Sequence, residues 1–191
     1  MARRGLDRGQ IVAAAAAIAD THGLAAVTLA RVAADLDVRP PSLYSHIGGR
    51  EGLICAIGLR GVGELGAAMR VAATGRAGQD AIVAIARAYR AYARDHPGCY
   101  AASLRSPPPG DREHEQAALE ATAVLLAVLR AYALQDDEAI HAARAIRSAL
   151  HGFVALEREG GFGLPLDVDA SFEWLVARLV AALAQQPENA A

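Results

Sequence analysis

The side chains best placed to do chemistry lie between residues 28 and 50. Arg39, Ser42, Tyr44, Ser45 and His46 put a guanidinium, two hydroxyls, a phenol and an imidazole within eight residues. Leu43 and Ile47 are interleaved with them, so a short helix here turns apolar residues to one side and donors to the other. Donors of these types can reach base edges and phosphates in a major groove about 12 Å wide. The bland alternative is a merely solvated face. Arg3, Arg4 and Arg8 extend the basic character to the start of the chain, as a groove-gripping arm or as a frayed terminus.

Other chemistries lack their residues. Gly61-Val-Gly-Glu-Leu-Gly66 matches the dinucleotide fingerprint, but that motif needs a strand before it and an acid about 20 residues on. Arg87 stands near that position, and no second strand follows. The chain therefore reads as needing no cofactor. His151 has no HxxxH, HExxH or clustered Cys/His partner spacing, so no metal site is expected from it. Its remaining readings are a pocket group, an interface group or a satisfied core histidine. Cys55 and Cys99 are far apart in apolar surroundings and read as buried thiols in a reducing compartment. No Gly-x-Ser-x-Gly, catalytic carboxylate pair or Ser/His/Asp set appears. Tyr89, Tyr92, Cys99, Tyr100, Leu125 and His151 are candidates for lining an apolar ligand pocket, although plain core explains each as well.

The elements that must hold these groups are helical. Of the 191 residues, 46 are alanine, the strongest helix former, and no segment alternates as a strand does. A first helix is expected over residues 7–22, with Ile11, Ala14, Ala15 and Ile18 on one face and Gly23 ending it. Thr28 is a natural N-cap for a second helix, whose Leu29, Val32, Ala33 and Leu36 recur at i, i+3, i+4 and i+7. After a tight break at Asp37-Val38, Pro40 and Pro41 open a third helix ended by Gly48-Gly49. Longer helices are expected over residues 50–73, 79–95, 111–134, 136–159 and 168–185, with a short one over 98–104. The total is about nine. Residues 1–50 then form a helix-turn-helix domain, and residues 51–191 a larger helical bundle.

Charge follows the same division. The whole chain carries −2, yet residues 1–50 hold six Arg against four Asp and residues 51–191 hold 13 Arg against 17 acids. A small basic head thus rides on an acidic body. The longest uncharged apolar runs are nine residues, well short of the 18 or so needed to cross a bilayer, and the N-terminus lacks the apolar core of a secretion signal. The chain reads as a soluble, cytoplasmic protein without a membrane partner.

The stretch Thr28-Leu-Ala-Arg-Val-Ala-Ala-Asp-Leu-Asp-Val-Arg-Pro-Pro-Ser-Leu-Tyr-Ser-His-Ile, followed by Arg50-Glu-Gly-Leu53, resembles the DNA-binding segment of the TetR family of transcriptional regulators. Leu150-His-Gly-Phe-Val-Ala-Leu-Glu157, with the Phe172-Glu-Trp-Leu helix after it, resembles the WHG-type C-terminal domain of one branch. The resemblance implies that Thr28 caps its helix and contacts phosphate, and that Arg39, Pro41, Ser42, Tyr44, Ser45 and His46 lie on the recognition helix. It also places Arg50 where a phosphate-gripping lysine is usual. Three departures stand out. Ile47 replaces a usual Phe, Asp37 occupies a position where Gly is common, and Gly48-Gly49 loosens the join. The function implied is a repressor released from a palindromic double-stranded operator by a small apolar or amphipathic ligand. The expected homodimer forms through the last two long helices, with Ile146, Leu150, Phe153, Leu175, Leu179 and Leu183 at the interface. A helical protein-interaction module and a small-molecule-binding enzyme are the alternatives.

Overall fold

The computed structural model describes residues 6–134 and 136–185; Arg3 and Arg4 of the expected basic arm lie outside them. Eight α-helices are found among the described residues: α1 (Arg8–His22), α2 (Leu29–Asp35), α3 (Gly49–Ala73), α4 (Gly78–Asp95), α5 (Pro97–Ser103), α6 (Arg112–Leu129), α7 (Asp136–Arg158) and α8 (Val168–Ala184). No strand occurs among them. The expected third helix is a single 3-10 turn over Pro40–Leu43, because two consecutive prolines leave few amides to propagate an α-helix.

Packing divides the chain into two compact units. One takes the chain up to Leu65 together with Asp95–Ala118; the other takes Gly66–Arg94 together with Leu119 onward. In the first unit, α1 opens with a reciprocal capping box between Asp7 and Gln10. It buries Ile11, Val12, Ala15, Ala16, Ile18 and Ala19. Its last turn carries Asp20, whose Oδ1 accepts from the Gly98 and Cys99 amides, each at 2.8 Å. These are orphan N–H groups at the start of α5, a helix with no side-chain cap of its own. A Cβ on Gly98 would overlap the Ala19 backbone, and one on Gly61 would overlap the Cys99 carbonyl. The α5 helix is therefore wedged between α1 and α3, and glycine is required on both sides.

This changes the meaning of the Gly61–Gly66 motif. It lies within one continuous 25-residue helix rather than in a strand-to-helix loop. Gly61 is a contact glycine, whereas Gly63 faces open space. By length and composition α3 would also suit a membrane span. Its Leu53, Ile54, Ile57 and Met69 are nevertheless buried within the protein.

The second unit is organised around a buried charge. Arg90 on α4 is 8% exposed. Its guanidinium donates in a bidentate manner to Glu157 of α7 and, at 2.7 Å, to Asp169 of α8. It also lies 5.4 Å from the Phe153 ring centroid and 4.7 Å from that of Phe172. The acceptors hold the Arg90 proton more firmly than usual, Glu157 first, against the opposing effect of burial. A buried cation is tolerable only with such partners. Ile82, Ile85, Ala86, Tyr89 and Tyr92 on the same face of α4 are buried, as their spacing predicts.

Two stability outcomes follow from these contacts. Arg90→Ala, which strands Glu157 without its partner, costs about 3 kcal/mol in denaturant unfolding. Gly61→Ala destabilises by about 1–3 kcal/mol through overpacking, while Gly63→Ala stabilises by about 0.5–1 kcal/mol because alanine is the better helix former. Equal effects of the two alanines would contradict the wedge.

Candidate nucleic-acid interface

The reading element begins where Thr28 accepts a hydrogen bond from the Arg31 amide at 3.1 Å, capping α2. At the other end of α2 the Asp37 amide donates to the Ala34 carbonyl and the Val38 amide to the Ala33 carbonyl. This is a Schellman closure, with Asp37 in the left-handed region at φ 52°. An aspartate tolerates that conformation at modest cost, so the turn forms without glycine. Val32, Ala33, Leu43 and Ile47 are buried beneath the turn; Leu29, Leu36 and Val38 are half-buried. Ile47 thus does the anchoring expected of the usual aromatic.

On the opposite side Arg39, Pro41, Ser42, Tyr44 and Ser45 are exposed, with Tyr44 at 62%. The Ser45 hydroxyl donates to the Ser42 carbonyl at 3.1 Å, tightening the turn. His46 is half-buried and lines a cleft of about 520 Å³ together with Arg8 and Glu51. The donors expected from the sequence are therefore solvent-exposed, with His46 half-buried.

Arg50 has a task that spacing alone does not reveal. Its Nε donates to the Val27 carbonyl at 2.9 Å and its Nη2 to the Leu24 carbonyl at 3.0 Å. Its Nη1 contacts Glu51 at 3.3 Å. The guanidinium fastens the start of α3 to the loop before α2, and so holds the cap of the reading element in place.

The six ligand-pocket candidates are divided between the two units. Tyr89, Tyr92 and Leu125 are buried and His151 half-buried in the second unit; Cys99 and Tyr100 are buried in the first. Cys99 is inert packing, its thiol pushed up to about 12, mainly by burial and then by the charge of Asp20. In the second unit an open cleft of about 530 Å³ is lined instead by Ala73, Ala77, Ala123, Val124, Ala127 and Val128, with Arg70, Thr74, Arg76 and Glu120 as its polar groups. Sequence spacing had no means of finding it, because its walls come from α3, the following loop and α6. Asp20 and the Arg90–Glu157 pair were missed for the same reason: their partners are 67 or more residues away.

Two helices closed by a tight turn, with donors on the outer edge and an apolar floor, define a helix-turn-helix DNA reader. Comparison with known proteins gives the same class. Residues 11–57 match the model for bacterial regulatory proteins of the tetR family. Residues 82–179 match the tetracyclin repressor-like C-terminal domain. The HTH-type transcriptional regulator Rv0681 of Mycobacterium tuberculosis, itself uncharacterised, is 38% identical over 93% of this chain and 82% of its own length. The uncharacterised regulator YobS of Bacillus subtilis is 34% identical over 98% of this chain and 97% of its own. Among solved structures, BioQ with its natural double-stranded DNA operator has a TM-score of 0.70 at 25% identity, covering 95% of this chain and 100% of that one. The chain belongs to the TetR family. It is a helix-turn-helix transcriptional regulator that binds DNA, and its family consists of regulators rather than enzymes.

The two tasks open to Arg50 separate experimentally. Arg50→Ala is expected to lower stability by about 1–2 kcal/mol through loss of hydrogen bonds from a charged donor. If the side chain also holds a phosphate, the logarithmic salt slope of operator binding falls by about one.

Proposed function

We propose that the protein is a homodimeric repressor that leaves a palindromic operator when a small molecule binds. Residues 1–50 would carry the DNA-reading role and residues 51–191 the ligand and dimer roles, in the cytoplasm. The observation that carries the reading is the exposed edge of the helix-turn-helix. Thr28, Arg39, Pro41, Ser42, Tyr44, Ser45, His46 and Arg50 form the proposed DNA-contacting set, with Thr28 and Arg50 nearest phosphate. BioQ, which has the same fold, was crystallised on its operator.

The dimer surface needs revision at the level of residues. Ile146, Leu150, Phe153 and Leu183 are buried inside the protomer, which leaves them little surface to offer a partner. Leu175 and Leu179 are half-buried. The outer face of α8 carries Trp174, 66% exposed, beside Arg178, whose guanidinium carbon is 5.7 Å from the indole centroid. On the outer side of α7, Ala145, Ser148 and Gly152 fall at helical spacing, and a Cβ at Gly152 would meet open space. Small residues there allow close approach of a second copy, with Trp174 as an anchor.

For the ligand we favour the 530 Å³ cleft. Its alanine and valine walls suit an apolar body, and Arg70 and Arg76 suit an anionic head. Leu125 adjoins the cleft-lining Val124 in sequence, and Tyr89, Tyr92 and His151 lie in the same unit. Such a ligand acts only through different affinities for the DNA-competent and released states.

Footprinting on the DNA flanking the coding region tests the reading. Protection of two half-sites spaced by roughly one helical turn, 34–36 Å, is expected. Tyr44→Ala and Arg39→Ala should abolish it while sedimentation still reports the dimer. Undiminished protection by both variants overturns the assignment of the reading edge.

A further inference from the structure

Cys55 was expected to be an isolated buried thiol. Folding places it beside two side chains more than 50 residues away. Its Sγ lies 3.5 Å from Asp111 Oδ2 and 4.0 Å from His114 Nδ1. The remaining edge, between His114 Nδ1 and Asp111 Oδ2, is 3.8 Å. These three atoms form a nearly equilateral triangle. A tetrahedral zinc ion with bonds of about 2.0–2.3 Å holds its thiolate, imidazole and carboxylate atoms roughly 3.3–3.6 Å apart. Contraction by a few tenths of an ångström would close the set.

Asp111 and His114 are held for this purpose by local structure. Asp111 precedes α6 and its Oδ1 accepts from the His114 amide at 3.1 Å, fixing the two side chains as an i, i+3 pair. That backbone bond is the main reason the Asp111 carboxyl is held ionised below the usual range. His114 is the anomaly. It is 4% exposed, its Nε2 is buried with no hydrogen-bond partner, and its Nδ1 reaches only the two long contacts above. The ion would engage Nδ1, the nitrogen whose own contacts are long, at 3.8 and 4.0 Å. Access exists as well. Cys55 and His114 both line the cleft that His46 and Glu51 border.

We propose that Cys55, Asp111 and His114 form a binding site for a borderline-soft divalent cation of the zinc class, tying the first half of α3 to the start of α6 within the DNA-reading unit. One sulfur, one nitrogen and one carboxylate oxygen select such an ion over magnesium or calcium, which take oxygen ligands. Binding would release the Cys55 thiol proton to solvent as the thiolate joins the metal.

Cobalt(II) titration of the full-length, chelator-treated protein tests this. One equivalent per chain should give tetrahedral visible bands together with a thiolate-to-cobalt charge-transfer band, both erased by zinc. Cys55→Ala, folded by its thermal melt, should lose the charge-transfer band, and Cys99→Ala should keep it. Absence of the band in the unmodified protein, or its survival in Cys55→Ala, would overturn the proposal and leave a hydrogen-bonded thiol only.

Discussion

The carboxylate of Asp20 is the constraint on which the DNA-reading unit depends. The α5 helix has seven residues, begins at Pro97 and brings no cap of its own. Left alone, so short a helix is unstable, because its first amides lack acceptors and its few internal hydrogen bonds do not offset the cost of ordering. Asp20 supplies the missing acceptor from α1, and the absence of a Cβ at Gly98 lets the two backbones approach closely enough to use it. With α5 in place, Gly61 docks α3 on its other side. The three helices therefore hold one another, and α2 and the reading turn rest on them through Val32, Leu43 and Ile47.

The reading turn has little stability of its own. A four-residue 3-10 segment with two prolines makes few backbone bonds. Its rigidity comes from outside: the Schellman closure at Asp37, the buried Leu43 and Ile47, and the Arg50 guanidinium reaching back to two loop carbonyls. This arrangement suits a DNA reader. Side chains that must face water in the free protein and base edges in the complex cannot contribute packing, so the residues between them must do so.

Local patterns were legible in the sequence, and distant partnerships were not. The helices, the Thr28 cap, the break at Asp37-Val38 and the outward set from Arg39 to Ser45 follow from nearest-neighbour physics, namely helical period, cap chemistry and proline placement. The 3-10 character of Pro40–Leu43 was a failure of degree, since prolines both start helices and stop them from lengthening. The roles of Gly61, Arg90 and Asp20 depend on residues many turns away, which one sequence does not connect. Gly61 and Gly63 are indistinguishable as letters, yet one meets a carbonyl and the other nothing. The same blindness sent the dimer expectation to Ile146, Leu150, Phe153 and Leu183. An apolar stripe announces burial without saying whether the cover is the protomer or a partner.

The charge distribution links these observations to the need for two reading heads. Residues 1–50 carry an excess of only two positive charges, while the remaining chain carries −4. Nonspecific attraction to DNA grows with the number of phosphates neutralised, so a single head of this kind is a weak binder at ordinary salt. Specific contacts from one short turn add a few kcal/mol at most. Coupling two heads, as in the proposed homodimer, would make the second contact intramolecular and multiply affinity without further charge. The acidic body then becomes an advantage, since it discourages binding anywhere the two half-sites are not both present. In the proposed homodimer, pairing through α7 and α8 would set the spacing that the two reading turns must match.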